Sequence, residues 1–378
     1  MTLERAANKN DIETLETLLD SGIFMQLDSF SMRKQLTPWL FEVATSHGAE
    51  SVANAAYGAL TGLLSTGGSA DRNFLHLATI ARTLAALGAK TGVLASLGSG
   101  IDFPATDPPV FDRIEREKRV WRLVELIRAF AKSNRIVPTD TPPLTTLMLL
   151  ISLDHSTSPA LKRSLLETIM ALINKPFASV ADEIPICQAI LRVASSLSLS
   201  QRLSMLNSFP RAGVPCSRMA RWIAYGLLTD GTLTHVTKDE YLQPPPLIRV
   251  LTMLLDTSER ALFDVIPPET DFEALLERID ILSVVLTDVQ SYVDREAPAT
   301  PKGEDEEPDM ELLEMIGNRL QSLHGKIHDT RAAYLDRTRV KDAMQRLRMR
   351  ILYQRKSALQ SRPKIKLNGE QQSRPQAK

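Results

Sequence analysis

Two cysteines, Cys187 and Cys216, are all that 378 residues contain. Nothing sets them at metal-ligand spacing, so a disulfide scaffold and a zinc module are set aside and a reducing compartment is the simpler expectation. Aromatic residues make up only 5% of the chain, and no strand-like alternation of apolar and polar residues competes with helical patterning. A parallel sheet with a nucleotide crevice is therefore not expected. No apolar run reaches the roughly 18 residues that a membrane-spanning helix needs. The opening MTLERAANKNDIE has acids and no apolar core, which is not the pattern of a secretory signal or a transit peptide. Charge of one sign is also lacking overall, since 45 Lys+Arg balance 45 Asp+Glu.

What is present is leucine and alanine at helical spacing, in a chain that is 43% hydrophobic and 24% charged, the composition of a folded globular protein. "NDIETLETLLDSG" places Leu15, Leu18 and Leu19 on one face behind a capping residue and ends at Gly22. It is similar to the second helix of an ankyrin repeat, but no copy follows at a fixed period. "TPWLFEVATSHGAESVANAAYGALTGLLSTGG" predicts a hairpin: Thr37 as cap, Pro38 at the first helical position, and a second helix from about Glu50 to Gly67 and Gly68. Further segments of the same kind, from "DRNFLHLATIARTLAALGA" to "DFEALLERIDILSVVLTDVQSYVD", continue to residue 293, with Pro and Gly marking boundaries at element length. The expected fold is all-α: an irregular HEAT-like array of helical hairpins over residues 1–293, without a legible repeat.

After Val293 the character changes. "DREAPATPKGEDEEPD" (294–309) is acidic and holds three prolines, so it reads as an exposed linker. Beyond it, Leu313, Ile316, Leu320, Leu323 and Ile327 step by 3, 4, 3 and 4, the seam of a coiled coil or helical hairpin. Val340, Met344, Leu347 and Ile351 resume the stepping in a shifted phase, which implies a stutter or kink near 331–339. Residues 310–360 are thus expected to be a long basic C-terminal helix or hairpin, and 361–378 a disordered basic tail.

The zero net charge hides an asymmetry, because 331–378 carries 14 Lys+Arg against 3 Asp+Glu. Basic segments of this kind meet nucleic acid or acidic protein surfaces, or are simply solvated. Two sets of residues follow. Val340, Lys341, Met344, Leu347 and Ile351 are the candidate partner-binding row, the partner being the chain's own array or a second protein. Arg331, Arg337, Arg346, Arg348, Arg350, Arg355 and Lys356 are the candidate basic face.

No catalytic, cofactor or metal site is assigned. "GAKTG" at 88–92 lacks the rest of a phosphate loop and follows a helix instead of a strand. His324 and His328 stand four apart but have no third ligand or HExxH glutamate. Cys187 lies in an apolar helix and reads as core. Asp329, Asp336 and Asp342 sit on a basic helix, where charge pairing explains them. Trp39, Trp121 and Trp222 each fall among apolar residues and are expected to anchor the core.

Three blocks resemble a known family. "LLDSGIFMQLDSFSMRKQLTPWLFEVATSHGAESVANAAYGALTGLL" looks like the opening of the CANIN domain, "LSLSQRLSMLNSFPRAGVPCSRMARWIAYGLL" is similar to its middle block, and "KIHDTRAAYLDRTRVKDAMQRLRMRILYQ" resembles its terminal helix, through Asp329, Arg331, Val340, Lys341 and Asp342 above all. That family comprises the sixth non-SMC element of the SMC five/six chromosome complex and its animal localisation factors. The resemblance implies a nuclear, non-enzymatic subunit that pairs with the fifth non-SMC element, contacts SMC subunits and helps the complex load at damaged DNA. Beside the resemblance, the basic charge of the C-terminal helix leaves an indirect or weak DNA contact as an expectation, with no membrane and no small-molecule substrate. Relatives commonly carry a long disordered N-terminal region for recruitment; here the domain begins almost at once, so either a truncated copy or another recruitment route is expected. The alternative function is another helical scaffold or adaptor, of the transport or coat-associated kind.

Overall fold

The computed structural model describes residues 11–26, 30–46, 48–66, 75–98, 103, 111–174, 179–229, 231, 233–258, 261–266, 269–295, 309–328 and 335–361. Among these residues the protein is all-α, built of irregular helical hairpin pairings with a long C-terminal helix, an arrangement consistent with a HEAT-like array. The only sheet-like feature among them is an isolated parallel bridge between Leu75 and Ile136. The chain divides into two compact units: Met1–Pro245 with Asp280–Val285, and Pro246–Ile279 with Leu286–Lys378. The array expected over 1–293 therefore spans the first unit and the opening helices of the second. Most of the expected linker, 296–308, and the tail from 362 lie outside the described residues.

The first unit opens with α1 (Ile12–Asp20), α2 (Phe30–Ser46) and α3 (Glu50–Thr66). Asp11 caps α1 by accepting from the Thr14 amide at 3.2 Å, and Leu15 and Leu19 are buried against α3. One expectation is corrected: Thr37 and Pro38 do not begin a helix, because α2 starts at Phe30 and runs through Pro38. Pro38 forfeits one backbone hydrogen bond, yet the turn after it buries Leu40, Phe41 and Ala44 completely, which outweighs that loss.

Next come α4 (Leu77–Ala86), α5 (Thr91–Leu97), α6 (Arg113–Lys132), α7 (Thr141–Leu153), α8 (Pro159–Ile173) and α9 (Val180–Ala194). Pairing skips along the chain: α6 packs on α8 and α7 on α9, while α7 and α8 also pair as neighbours. Buried Leu123, Leu126, Ile127 and Phe130 form the inward stripe of α6. The ends are set locally. Asn134 adopts φ 55° just after α6, so Arg135 N–H can reach back to the Phe130 carbonyl at 2.8 Å. The start of α4 is closed from far away instead: Asp140 accepts from the Leu77 amide at 2.8 Å across 63 residues.

The unit continues with α10 (Leu199–Ser208), α11 (Val214–Leu228) and the short α12 (Lys238–Leu242). Capping boxes start α10, through Ser198 and Gln201, and α12, through Thr237 and Glu240. α9 and α11 approach closely at Gly226, where a Cβ would lie 2.5 Å from Leu191 Cδ1.

In the second unit, α13 (Leu247–Leu255), α14 (Phe272–Val285, whose last turns belong to the first unit), α15 (Gln290–Arg295), α16 (Asp309–Lys326) and α17 (Leu335–Ser361) follow. The single helix expected over 271–294 is two, interrupted at 286–289, where Asp288 caps α15 by accepting from the Ser291 amide at 3.2 Å. α16 packs on α17 and on α13, and Arg319 Nε donates to the Leu254 carbonyl at 2.8 Å. α15 packs on both helices of the hairpin and buries Tyr292.

Candidate interaction face

The row of apolar residues on α17 faces the chain itself. Val340, Met344, Leu347 and Ile351 are 0–3% exposed, as are Leu313, Ile316, Leu320 and Leu323 of the antiparallel α16 and Ile327 just past its end. Two stripes at 3-4 spacing meet and close an intramolecular hairpin. Of the five residues singled out as a partner-binding row, only Lys341 is half open to solvent. Arg355 ties the far end of the hairpin to Glu314, Nη1 to Oε2 at 2.7 Å, and Lys326 ties its near end to Asp264 at 2.8 Å.

The basic set splits. Arg331 lies outside the described residues. Arg337 is half-buried with its guanidinium 5.1 Å from the Phe272 ring centroid. Arg348, Arg350 and Arg355 are half-buried along the flanks, whereas Arg346 and Lys356 are exposed. Those last two lie on the outer stripe opposite the seam, where Arg339, Asp342, Arg346, Met349, Tyr353 and Lys356 recur at 3-4 spacing. Met349 is 53% exposed and Tyr353 75%. Sequence reading missed these two, although the signal was present: they stand half a turn out of phase with the buried row.

A second feature, also missed, is a buried polar cluster in the first unit. Glu183 of α9 receives Arg218 of α11 bidentately, Nη2 to Oε1 at 2.6 Å and Nε to Oε2 at 3.0 Å. The Tyr241 hydroxyl of α12 donates to the same carboxylate at 3.1 Å and lies 3.6 Å from Cys187 Sγ. Trp222 stacks on Tyr241 with centroids 5.7 Å apart and donates to its carbonyl at 2.9 Å. Burial pushes the Cys187 thiol up to about 12 and raises the Tyr241 phenol as well, so neither ionises near neutrality. Charge pairing and stacking here join three helices, and Cys187 supplies packing instead of a nucleophile.

The remaining sequence candidates disperse. Gly88, at φ 89°, closes α4: Ala89 N–H reaches the Leu84 carbonyl at 2.9 Å and Gly88 N–H the Ala85 carbonyl at 3.0 Å, a helix stop and not a phosphate cradle. His324 is half-buried and His328 exposed, Asp336 and Asp342 are exposed, and Asp329 lies outside the described residues. No group of three His, Cys, Asp or Glu that could hold a metal occurs among the described residues. Trp222 is buried as expected. Trp39, however, is only half-buried and Trp121 is 38% exposed, which corrects their assignment as core anchors. Trp121 is exposed on α6, one turn before the half-buried Glu125 that bonds Arg128 and Ser164. No described helix is long and apolar enough to cross a membrane. Comparison with family models, with curated proteins and with solved structures found no match to this chain.

Proposed function

We propose that this chain is a non-catalytic scaffold subunit of an SMC-type chromosome maintenance complex, acting in the nucleus in its loading or regulation during DNA repair. The observation that carries the reading is the three-block resemblance to the CANIN domain, supported by where those blocks fall: over α1 to α3, over α10 and α11, and over the end of α16 with α17. Each is a helical pair or hairpin arm, the unit from which interaction scaffolds are built. The partners on this reading are SMC subunits and the fifth non-SMC element. Because the apolar row of α17 is covered by α16, a partner at this hairpin meets the outer stripe or flanks instead of the seam.

Affinity purification of the tagged chain from nuclear extract, followed by crosslinking mass spectrometry, tests the proposal. SMC arms together with a helical non-SMC partner are the expected result. Recovery of transport or coat factors, with no SMC subunit, would overturn it in favour of a general helical adaptor.

A further inference from the structure

We infer that the outer stripe of α17 is a binding surface for single-stranded nucleic acid. The inference uses this face alone and does not depend on the complex proposed above. From Gln345 to Ser361 the helix carries Arg346, Arg348, Arg350, Arg355 and Lys356 and no carboxylate. Arg355 is engaged by Glu314, but Arg346 and Lys356 are exposed with no ion-pair partner among the described residues. Ten residues separate them, about 15 Å along the helix axis, the length of roughly four stacked nucleotides. Between them, on the same stripe, stand Met349 and Tyr353, the latter 75% exposed on a helix whose other apolar row is fully covered.

That combination selects the ligand. Past Asp342 the stripe carries positive charge at both ends and no carboxylate between them, which complements a polymer with one negative charge per residue better than a protein segment, whose carboxylates come at isolated points. A duplex would satisfy the cations but keeps its base faces stacked inside, leaving the tyrosine ring and the methionine without apolar partners. A single strand offers phosphates to Arg346 and Lys356 and a base face to Tyr353 at the same time. Arg350, half-buried beside Tyr353 on the neighbouring position, adds to the positive field along the stripe.

The test is fluorescence anisotropy with the purified full chain and a labelled oligothymidylate of about 20 nucleotides, against the matching duplex and a labelled polyglutamate. Wild-type protein is expected to bind the single strand more tightly than the duplex, losing about 10–20-fold in affinity between ~50 and ~200 mM salt if some three phosphates are neutralised. Arg346→Glu with Lys356→Glu is expected to lower affinity at least tenfold and to flatten the salt dependence. Tyr353→Ala is expected to lower single-strand affinity roughly tenfold at every salt concentration without changing the slope. These side chains are exposed, and unchanged helicity and melting temperature identify variants that remain folded. Absence of binding at low salt, undiminished binding by the double reversal, or equal affinity for duplex with no effect of Tyr353→Ala would each overturn the inference. Binding of polyglutamate alone, lost on charge reversal, would reassign the stripe to an acidic protein.

Discussion

Arg218 and Glu183 face each other across α11 and α9 with two hydrogen bonds, at 2.6 and 3.0 Å, and side chains only 13% and 7% exposed. A bidentate pair so enclosed makes removal of one partner costly, because the other charge stays buried without compensation. Arg218→Ala is expected to destabilise the protein by about 3–5 kcal/mol, whereas Arg218→Met combined with Glu183→Leu should recover most of the loss. Urea denaturation of the two variants decides it. A single variant as stable as wild type would mean that the pair contributes little.

Both cysteines are buried, with the Cys187 thiol raised to about 12 and the Cys216 thiol to about 11, mainly by desolvation. Neither should react with iodoacetamide in the native protein at about pH 8, and both should react once the chain is unfolded. The linkage has a definite sign. An unfolded thiol ionises near 9 while the folded Cys187 does not until about 12, so unfolding releases protons in this interval and stability falls as pH rises through it. Replacing Cys187 with Ala should remove that part of the alkaline slope, read from melting temperatures across the interval.

Asp264 receives Lys326 at 2.8 Å and the Val265 amide at 2.9 Å. The lysine bond, first among the causes, holds its carboxyl below the ordinary aspartate range. A depressed carboxylate stabilises the fold above its unfolded pKa of about 3.9 and stops doing so as pH falls through its lower folded value. Asp264→Asn should therefore cost stability at neutral pH, on the order of 1 kcal/mol for a partly exposed pair. The gap to wild type should close below about pH 4. A gap that persists unchanged in acid would show that the ion pair is not its source.

Leu347→Asp with Ile351→Asp places two carboxylates at positions 3% and 0% exposed in the seam. Each costs several kcal/mol to bury, so the expected result is loss of the α16–α17 hairpin, visible as reduced helical circular dichroism and new proteolytic cuts within 309–361. A variant that keeps full helicity and protection would mean that the seam can open without loss of fold.

Much of this was legible because helices advertise themselves locally. The 3-4 stepping of Leu313 to Ile327 and of Val340 to Ile351 marked the seam that the hairpin buries, since those contacts lie on a single helical stripe in each arm, while buried Leu312 and Ala343 beside that stripe went unmarked. Which stripe covers the other is a tertiary fact, so the row on α17 read equally well as a surface for a partner. The Glu183 cluster was hidden for the same reason: its members are 35 and 58 residues apart, and no spacing rule links them. Pro38 misled because a proline is a good first helical residue, whereas the two turns before it, from Phe30, are helical as well. Trp121 misled because apolar neighbours in sequence are not neighbours in space once half of a helix faces solvent.

The long-range cap on α4 has a consequence for biosynthesis. His76, its own N-cap residue, makes no side-chain cap bond; the Leu77 amide waits for Asp140, and the Leu75 amide for the Arg135 carbonyl. At about 5–20 residues per second, the ribosome needs roughly 3–13 seconds to deliver the 63 residues between cap and helix. During that interval the His76 carbonyl can already take the Thr79 and Ile80 amides, but the Leu77 amide is left to water until Asp140 arrives. The cap of α4 is therefore completed only after residue 140 has been made, and a pause in translation ahead of that codon would lengthen the time for which this helix start stays open beside Leu77, Ile80 and Leu84, which the finished fold buries.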